Sequence, residues 1–307
     1  MHKTKFQVVV ITAVLILMVA VSGFAAETLC SQHSKGTPTS GRTFSIAVAS
    51  NFAVPAVTML GHYQPNNSTA WICENATQTL LNEINDNGKP NHDVNSPVPV
   101  YSLFFGADDT ADTFANHFDY ARGIPVIFGY KGGSIANANG LVAGTGTADA
   151  GQVPIGGAAL TASTVYKLST PSYFAIADPA LAPYGVAAQS ILNDIVKVSP
   201  APQPFPDLFG NITLTKNAVG TSKVPEGEST ALPIISGFIS KAQICNQNNV
   251  IYVEFTDSEY TPLQTAALLS TATSAAEELH TTIMSAMNSK TPVTWSQFLI
   301  ANCYLIP

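Results

Sequence analysis

The groups in this chain best placed for chemistry are hydroxyls and backbone amides, not nucleophile–base pairs or metal ligands. Ser50-Asn51 closes an apolar run at 43–49, Thr77 follows Asn75-Ala76, and Pro183-Tyr184 follows an apolar run at 173–177 and a short turn. Each stands where an extended segment gives way to a helical pattern. For any one turn alone, helix capping is the simpler role. Together they point to an anion, because free N–H groups and the positive helix end hold negative charge without a formal cation, and hydroxyls add further donors.

Other chemistries lack their signatures. The sequence has no G-x-S-x-G elbow, no G-x-x-x-x-G-K-[ST] loop and no H-E-x-x-H pair. His2, His33, His62, His92, His117 and His280 are scattered singly, without metal-ligand spacing. Gly144-Thr145-Gly146 follows no strand pattern, so it is not a dinucleotide fingerprint. An exported hydrolase using Ser50 or Ser172 is the rival from the enzyme class, but no motif places a base or an orienting acid beside either serine. With 13 Lys and Arg against 20 Asp and Glu the net charge is −7, and no basic cluster offsets it, which argues against nucleic acid and anionic membrane surfaces as partners.

The elements that must position these groups begin after a leader. Residues 8–21 are apolar apart from Thr12, Lys3 and Lys5 precede them, and Gly23 and Ala25 offer small residues at a cleavage site. The run is shorter than the roughly 18 apolar residues of a spanning helix. Residues 1–25 are therefore expected to be a signal peptide, 26–43 a polar segment, and the fold to begin near Phe44. Cys30, Cys73, Cys245 and Cys303 all lie in the exported part, where disulfides are permitted, and three pairings stay open.

With 307 residues, 46% hydrophobic and only 11% charged, the chain can bury a large core in two lobes. Strands are expected at 43–49, 98–105 and 173–177, with a short apolar segment at 234–239. Helices are expected from Asn51 (Val54, Val57, Met59 and Leu60 apolar), from Thr77 as N-cap, at 110–117, from Pro183, at 263–287 and at 295–304. Alternating strands and helices favour an α/β fold with mainly parallel sheets.

Three blocks resemble a known family. Ala47-Val48-Ala49-Ser50-Asn51-Phe52-Ala53-Val54-Pro55, Phe105-Gly106-Ala107-Asp108-Asp109-Thr110, and Ala175-Ile176-Ala177-Asp178-Pro179 with Ala182-Pro183-Tyr184-Gly185-Val186-Ala187-Ala188 are similar to the periplasmic molybdate-binding proteins of ABC importers. Ser236-Gly237-Phe238-Ile239 and Cys303-Tyr304-Leu305-Ile306-Pro307 resemble later segments of that family, so the similarity runs in order from Phe44 to Pro307.

The resemblance implies a type II periplasmic binding protein fold, with two α/β lobes joined by two crossover strands. Lobe 1 would comprise 44–127 and 250–307, and lobe 2 residues 128–249. It also implies a tetrahedral oxyanion, molybdate or tungstate, held by the Ser50 and Thr77 hydroxyls, the Tyr184 N–H and a backbone donor near Ser222. No cofactor, no metal ligand and no reaction are implied; the expected partner is an inner-membrane ABC permease and the expected state a periplasmic monomer.

Departures from the pattern are Glu74, which would repel an anion if it faced the pocket, Gly106 in place of a serine, and Ser240 in place of a tyrosine. Further insertions stand at 85–97, 133–170 and 199–206. These departures keep a second ligand class in view, another small anion or an organic acid.

Overall fold

The computed structural model describes residues 28–90, 97–130, 174–177, 179–198, 212–215, 236–244, 250–255, 258–288 and 293–307. Two sheets organise them. The first contains β1 (Leu29–Lys35), β2 (Thr43–Ala49), β3 (Ser68–Asn75), β4 (Tyr101–Phe105), β5 (Asn116–Arg122) and β11 (Leu263–Leu268), in the order β1-β3-β2-β4-β11-β5. The second contains β6 (Pro125–Tyr130), β7 (Phe174–Ala177), β8 (Ile212–Thr215), β9 (Ser236–Ser240) and β10 (Val250–Glu254), in the order β10-β6-β9-β7-β8.

Each sheet has a parallel centre and antiparallel additions. β2 runs parallel to β3 and β4, and β7 parallel to β8 and β9, while β1, β5, β6, β10 and β11 pair antiparallel. The helices are α1 (Ala53–Tyr63), α2 (Thr77–Asp86), α3 (Pro183–Val198), α4 (Ser274–Met287) and α5 (Trp295–Ala301). β2 falls on the expected residues because it is buried from Phe44 to Ala49, the signature of a central parallel strand. The chain crosses between the sheets at Gly123-Ile124 and again between β10 and β11, so the second sheet takes in both β6 and β10.

Three expectations give way. Residues 29–35, within the polar segment, form edge strand β1, held by pairing with β3 and by the Cys30–Cys73 disulfide. Its start is fixed by a buried cluster in which Thr28 Oγ1 and the Tyr101 hydroxyl donate to the Glu83 carboxylate, at 2.5 and 2.7 Å. The expected helix at 110–117 is a 3-10 turn, Asp109–Thr113, followed by β5, whose Phe118 and Tyr120 alternate into the core. The expected helix at 263–287 is divided into β11 and α4, with Thr273 capping α4. In α1, Ala53, Pro55, Ala56, Met59, Leu60 and Tyr63 face the core, while Val54 and Val57 are exposed.

The core of the first lobe is aromatic where it nears the crossovers. Phe52, Phe105, Tyr120, Phe298 and Tyr304 are all buried, and Trp295 Nε1 donates to the Tyr120 carbonyl at 2.7 Å. Cys303 is also disulfide-bonded. Cys245 lies outside the described residues.

Candidate functional site

β2 ends at Ala49, and the chain makes one 3-10 turn, Ser50–Phe52, before α1 begins. Phe52 pins that turn from below, stacking on Phe105 with ring centroids 5.2 Å apart and meeting Tyr120 edge-on at 4.7 Å. Ser50 is thereby held at 9% exposure. Its hydroxyl does not cap the helix and makes no hydrogen bond among the described residues.

Thr77 is the first residue of α2 rather than its cap, a position taken by Ala76 without any side-chain bond. The Thr77 hydroxyl, 2% exposed, instead accepts from the Ala107 N–H at 3.0 Å. An occupied acceptor leaves that hydroxyl with its own proton to donate. Ala107 belongs to the Gly106-Ala107-Asp108 turn at the end of β4 and packs with Ala49 and Tyr184 as one apolar cluster. Nearby, Gln78 N donates to the Leu181 carbonyl at 3.3 Å. The first turn of α2 therefore meets the first turn of α3 from the other lobe, beside the end of β2.

In α3, Gly185 and Val186 donate to the Ala182 carbonyl, while Pro183 has no N–H. The Tyr184 N–H, a first-turn donor, has no partner among the described residues. The Tyr184 side chain turns inward, where its hydroxyl accepts from Ser240 Oγ at 3.0 Å and from Gln264 Nε2 at 2.9 Å. Gln264 Oε1 in turn accepts from Asn51 Nδ2 and the Tyr120 hydroxyl, at 3.2 and 2.8 Å. Asn51 Nδ2 also donates to the Tyr304 hydroxyl, which donates back to the Asn51 carbonyl at 2.7 Å.

Burial raises the phenols of Tyr120, Tyr184 and Tyr304 above their usual range, so all three keep their protons. Gly123 lies against this network; a Cβ there would overlap the Tyr184 hydroxyl and the Gln264 amide. Lys241, next to Ser240, pairs with the buried Glu254 at 2.5 Å, so its charge is already neutralised.

Ser50, Thr77 and Tyr184 are thus brought to one junction, and Ser222 lies outside the described residues. Ser172, the other hydrolase candidate, also lies outside them. Glu74 faces the other way: its carboxyl lines a groove between β1 and α1 that includes none of Ser50, Thr77, Ala107 or Tyr184. Burial raises that carboxyl to about 7.

At Gly106 a Cβ would stand 3.4 Å from the Phe104 ring and the Thr265 carbonyl, the edge of ordinary contact. Sequence reasoning missed Gln264, Tyr120 and Tyr304 as supports of the junction, although Tyr304 sits in the terminal block that carries the resemblance. Among the described residues no His, Cys, Asp and Glu cluster is placed to hold a metal ion, and no helix is long and apolar enough to cross a membrane.

No protein-family model and no curated protein matches the sequence. Solved structures do match the fold. The chain is similar to the periplasmic molybdate-binding protein of Azotobacter vinelandii, at 18% identity and a TM-score of 0.53, over 86% of this chain and 99% of that one. A substrate-binding domain assigned to a molybdenum ABC transporter of Clostridium difficile matches at 11% identity and 0.47, over 86% and 99%. The CcmR regulatory domain of Synechocystis in complex with 2-PG matches at 9% identity and 0.43, over 81% and 98%. With its two sheets, two crossovers and flanking helices, the chain has the α/β fold of type II periplasmic binding proteins.

Proposed function

We propose that the protein is an exported solute-binding protein that captures a tetrahedral oxyanion, molybdate or tungstate, and delivers it to an ABC permease without performing a reaction. One observation carries this reading: at the junction of the two lobes, the Ser50 hydroxyl and the Tyr184 N–H have no hydrogen-bond partner among the described residues, and the Thr77 hydroxyl, which accepts from Ala107, keeps its proton to donate. Both hydroxyls decline the capping role that would otherwise explain them.

A site made of neutral donors suits a fully deprotonated oxyanion. Hydrogen phosphate, whose own hydroxyl needs an acceptor, would be disfavoured there. As the lobes close, fixed donors replace the hydration of the anion, and affinity follows from how many of them reach it.

Calorimetric titration against molybdate, tungstate, sulfate and phosphate in one buffer tests the proposal. Molybdate and tungstate are expected to bind at least tenfold more tightly than sulfate or phosphate. Saturable binding of an organic acid, with none of molybdate, would overturn the ligand assignment.

A further inference from the structure

α1 packs over β2 and β3 but stops short of covering the edge strand β1, which leaves a groove of about 220 Å³ beneath its first turns. Leu29 and Ser31 of β1 form one wall, Ile72 and Glu74 of β3 the floor, and Val54 and Val57 of α1 the other wall. Leu29 is the direct cross-strand partner of Glu74, so the two side chains share this face of the sheet. Leu29, Val54 and Val57 are 53%, 48% and 43% exposed, three large apolar side chains gathered around one carboxyl group.

The Glu74 carboxyl has no hydrogen bond and no ion pair among the described residues, and burial alone raises its pKa. The nearest titratable neighbour on β1 is His33, which hydrogen-bonds to Ser31 Oγ at 3.0 Å and whose pKa is lowered by burial. No other charged side chain of β1, β3 or α1 lines the groove.

This chemistry selects its ligand. An anion is repelled by the carboxylate, and a neutral hydrocarbon leaves it desolvated and unpaired. A divalent cation needs six or so oxygen ligands, where the groove offers one carboxylate and one hydroxyl. An organic cation satisfies both parts, pairing its charge with Glu74 and covering the apolar walls. The volume equals about seven waters, enough for a short alkyl chain. The chain's net charge of −7 favours the approach of such a cation.

We propose that the groove between β1 and α1 is a second binding site, separate from the lobe junction, for an organic ammonium ion with a short apolar body: the ammonium meets the Glu74 carboxylate and the hydrocarbon lies over Leu29, Val54 and Val57. The site stands independently of the oxyanion reading, since none of the junction donors lines it.

The test is a titration of the full chain at pH 8 with n-hexylammonium chloride, followed by methyl resonances of Leu29, Val54 and Val57, with 1-hexanol and hexanoate as matched controls. Hexylammonium is expected to give saturable shifts at these three residues and to bind at least tenfold more tightly than either control. Glu74→Gln is expected to reduce hexylammonium affinity at least tenfold, to the level of hexanol, and to leave the molybdate titration within threefold of wild type. Val57→Asn, which keeps the carboxylate, is expected to weaken hexylammonium and hexanol alike.

Equal affinity for hexylammonium and hexanol, or a folded Glu74→Gln that binds hexylammonium like wild type, would overturn the proposal. So would binding of a lysine-rich peptide without binding of hexylammonium, which would make the groove a protein-docking surface instead.

Discussion

Ser50 and Thr77 differ in how their hydroxyls are committed, and the difference predicts how each behaves when removed. Ser50 has no hydrogen-bond partner among the described residues, so on the proposed reading Ser50→Ala takes away only a ligand contact; Thr77 also anchors the Ala107 N–H, so Thr77→Ala additionally frees the turn after β4. Each is expected to weaken oxyanion binding by about 1–3 kcal/mol, the range for a hydrogen bond to a charged group, with the Thr77 variant also losing some thermal stability. Calorimetry on both variants checks this, and wild-type affinity in both would place the ligand elsewhere.

Glu74 gives a test of opposite sign. Its carboxyl titrates near 7 in the folded chain against an ordinary 4.5, so between those pH values the folded state holds a proton that the unfolded state has released. Stability from the protonated form is complete below about pH 4.5 and lost as pH rises through 7. Glu74→Gln is therefore expected to raise the melting temperature at pH 8 and to leave it unchanged at pH 4.5. Because this carboxyl faces the β1–α1 groove, the same substitution is expected to change molybdate affinity by less than about threefold, or roughly 0.6 kcal/mol.

Among the elements, β1 depends most on a covalent link. Among the described strands it pairs only with β3, and Cys30–Cys73 closes a loop with a sequence separation of 43. Replacing both cysteines by serine is expected to cost about 4 kcal/mol of stability, by the loop-entropy relation, while leaving the junction donors in place. Denaturant unfolding measures the first expectation and ligand titration the second.

The same strand shows where sequence reading runs out. β2 and α3 were legible because one is apolar along its length and the other opens on proline after a turn. β1 was not, since Leu29–Lys35 is largely polar and its strand state comes from its partner on a distant segment. β11 reads as helix from its Gln-Thr-Ala-Ala-Leu residues, yet β4 and β5 flank it and impose an extended ladder. The site divides in the same way. Ser50, Thr77 and Tyr184 announce themselves at strand-to-helix turns. Gln264 and Tyr304, which join Asn51 across more than 200 residues of sequence, carry no local signal.

For the whole molecule, the expectation is mass action. A ligand that binds only the folded, closed state at about 100 times its Kd adds about 2.7 kcal/mol of stability. For a chain of this size that corresponds to a rise in melting temperature of about 5 °C or more with molybdate or tungstate. Sulfate at equal concentration is expected to give a small shift. No shift with molybdate, beside a clear one with another solute, would remove it as the ligand.

The position of β11 has a consequence for how the molecule comes into being. In the first sheet it lies between β4 and β5, although residues 123–262, with the entire second sheet, come between it and them in sequence. A chain emerging from its N-terminus must therefore hold β4 with one edge unsatisfied, and β5 without its sheet partner, until residues 263–268 arrive. Such open edges are ready templates for association with other chains. The first lobe thus cannot mature as an early, independent unit: its last structural strand is delivered near the end of synthesis. A fragment ending at Pro262 is expected to lack slow-exchanging amides in β4 and β5 and to aggregate, whereas adding residues 263–307 in trans should restore protection to both strands if β11 is the missing closure.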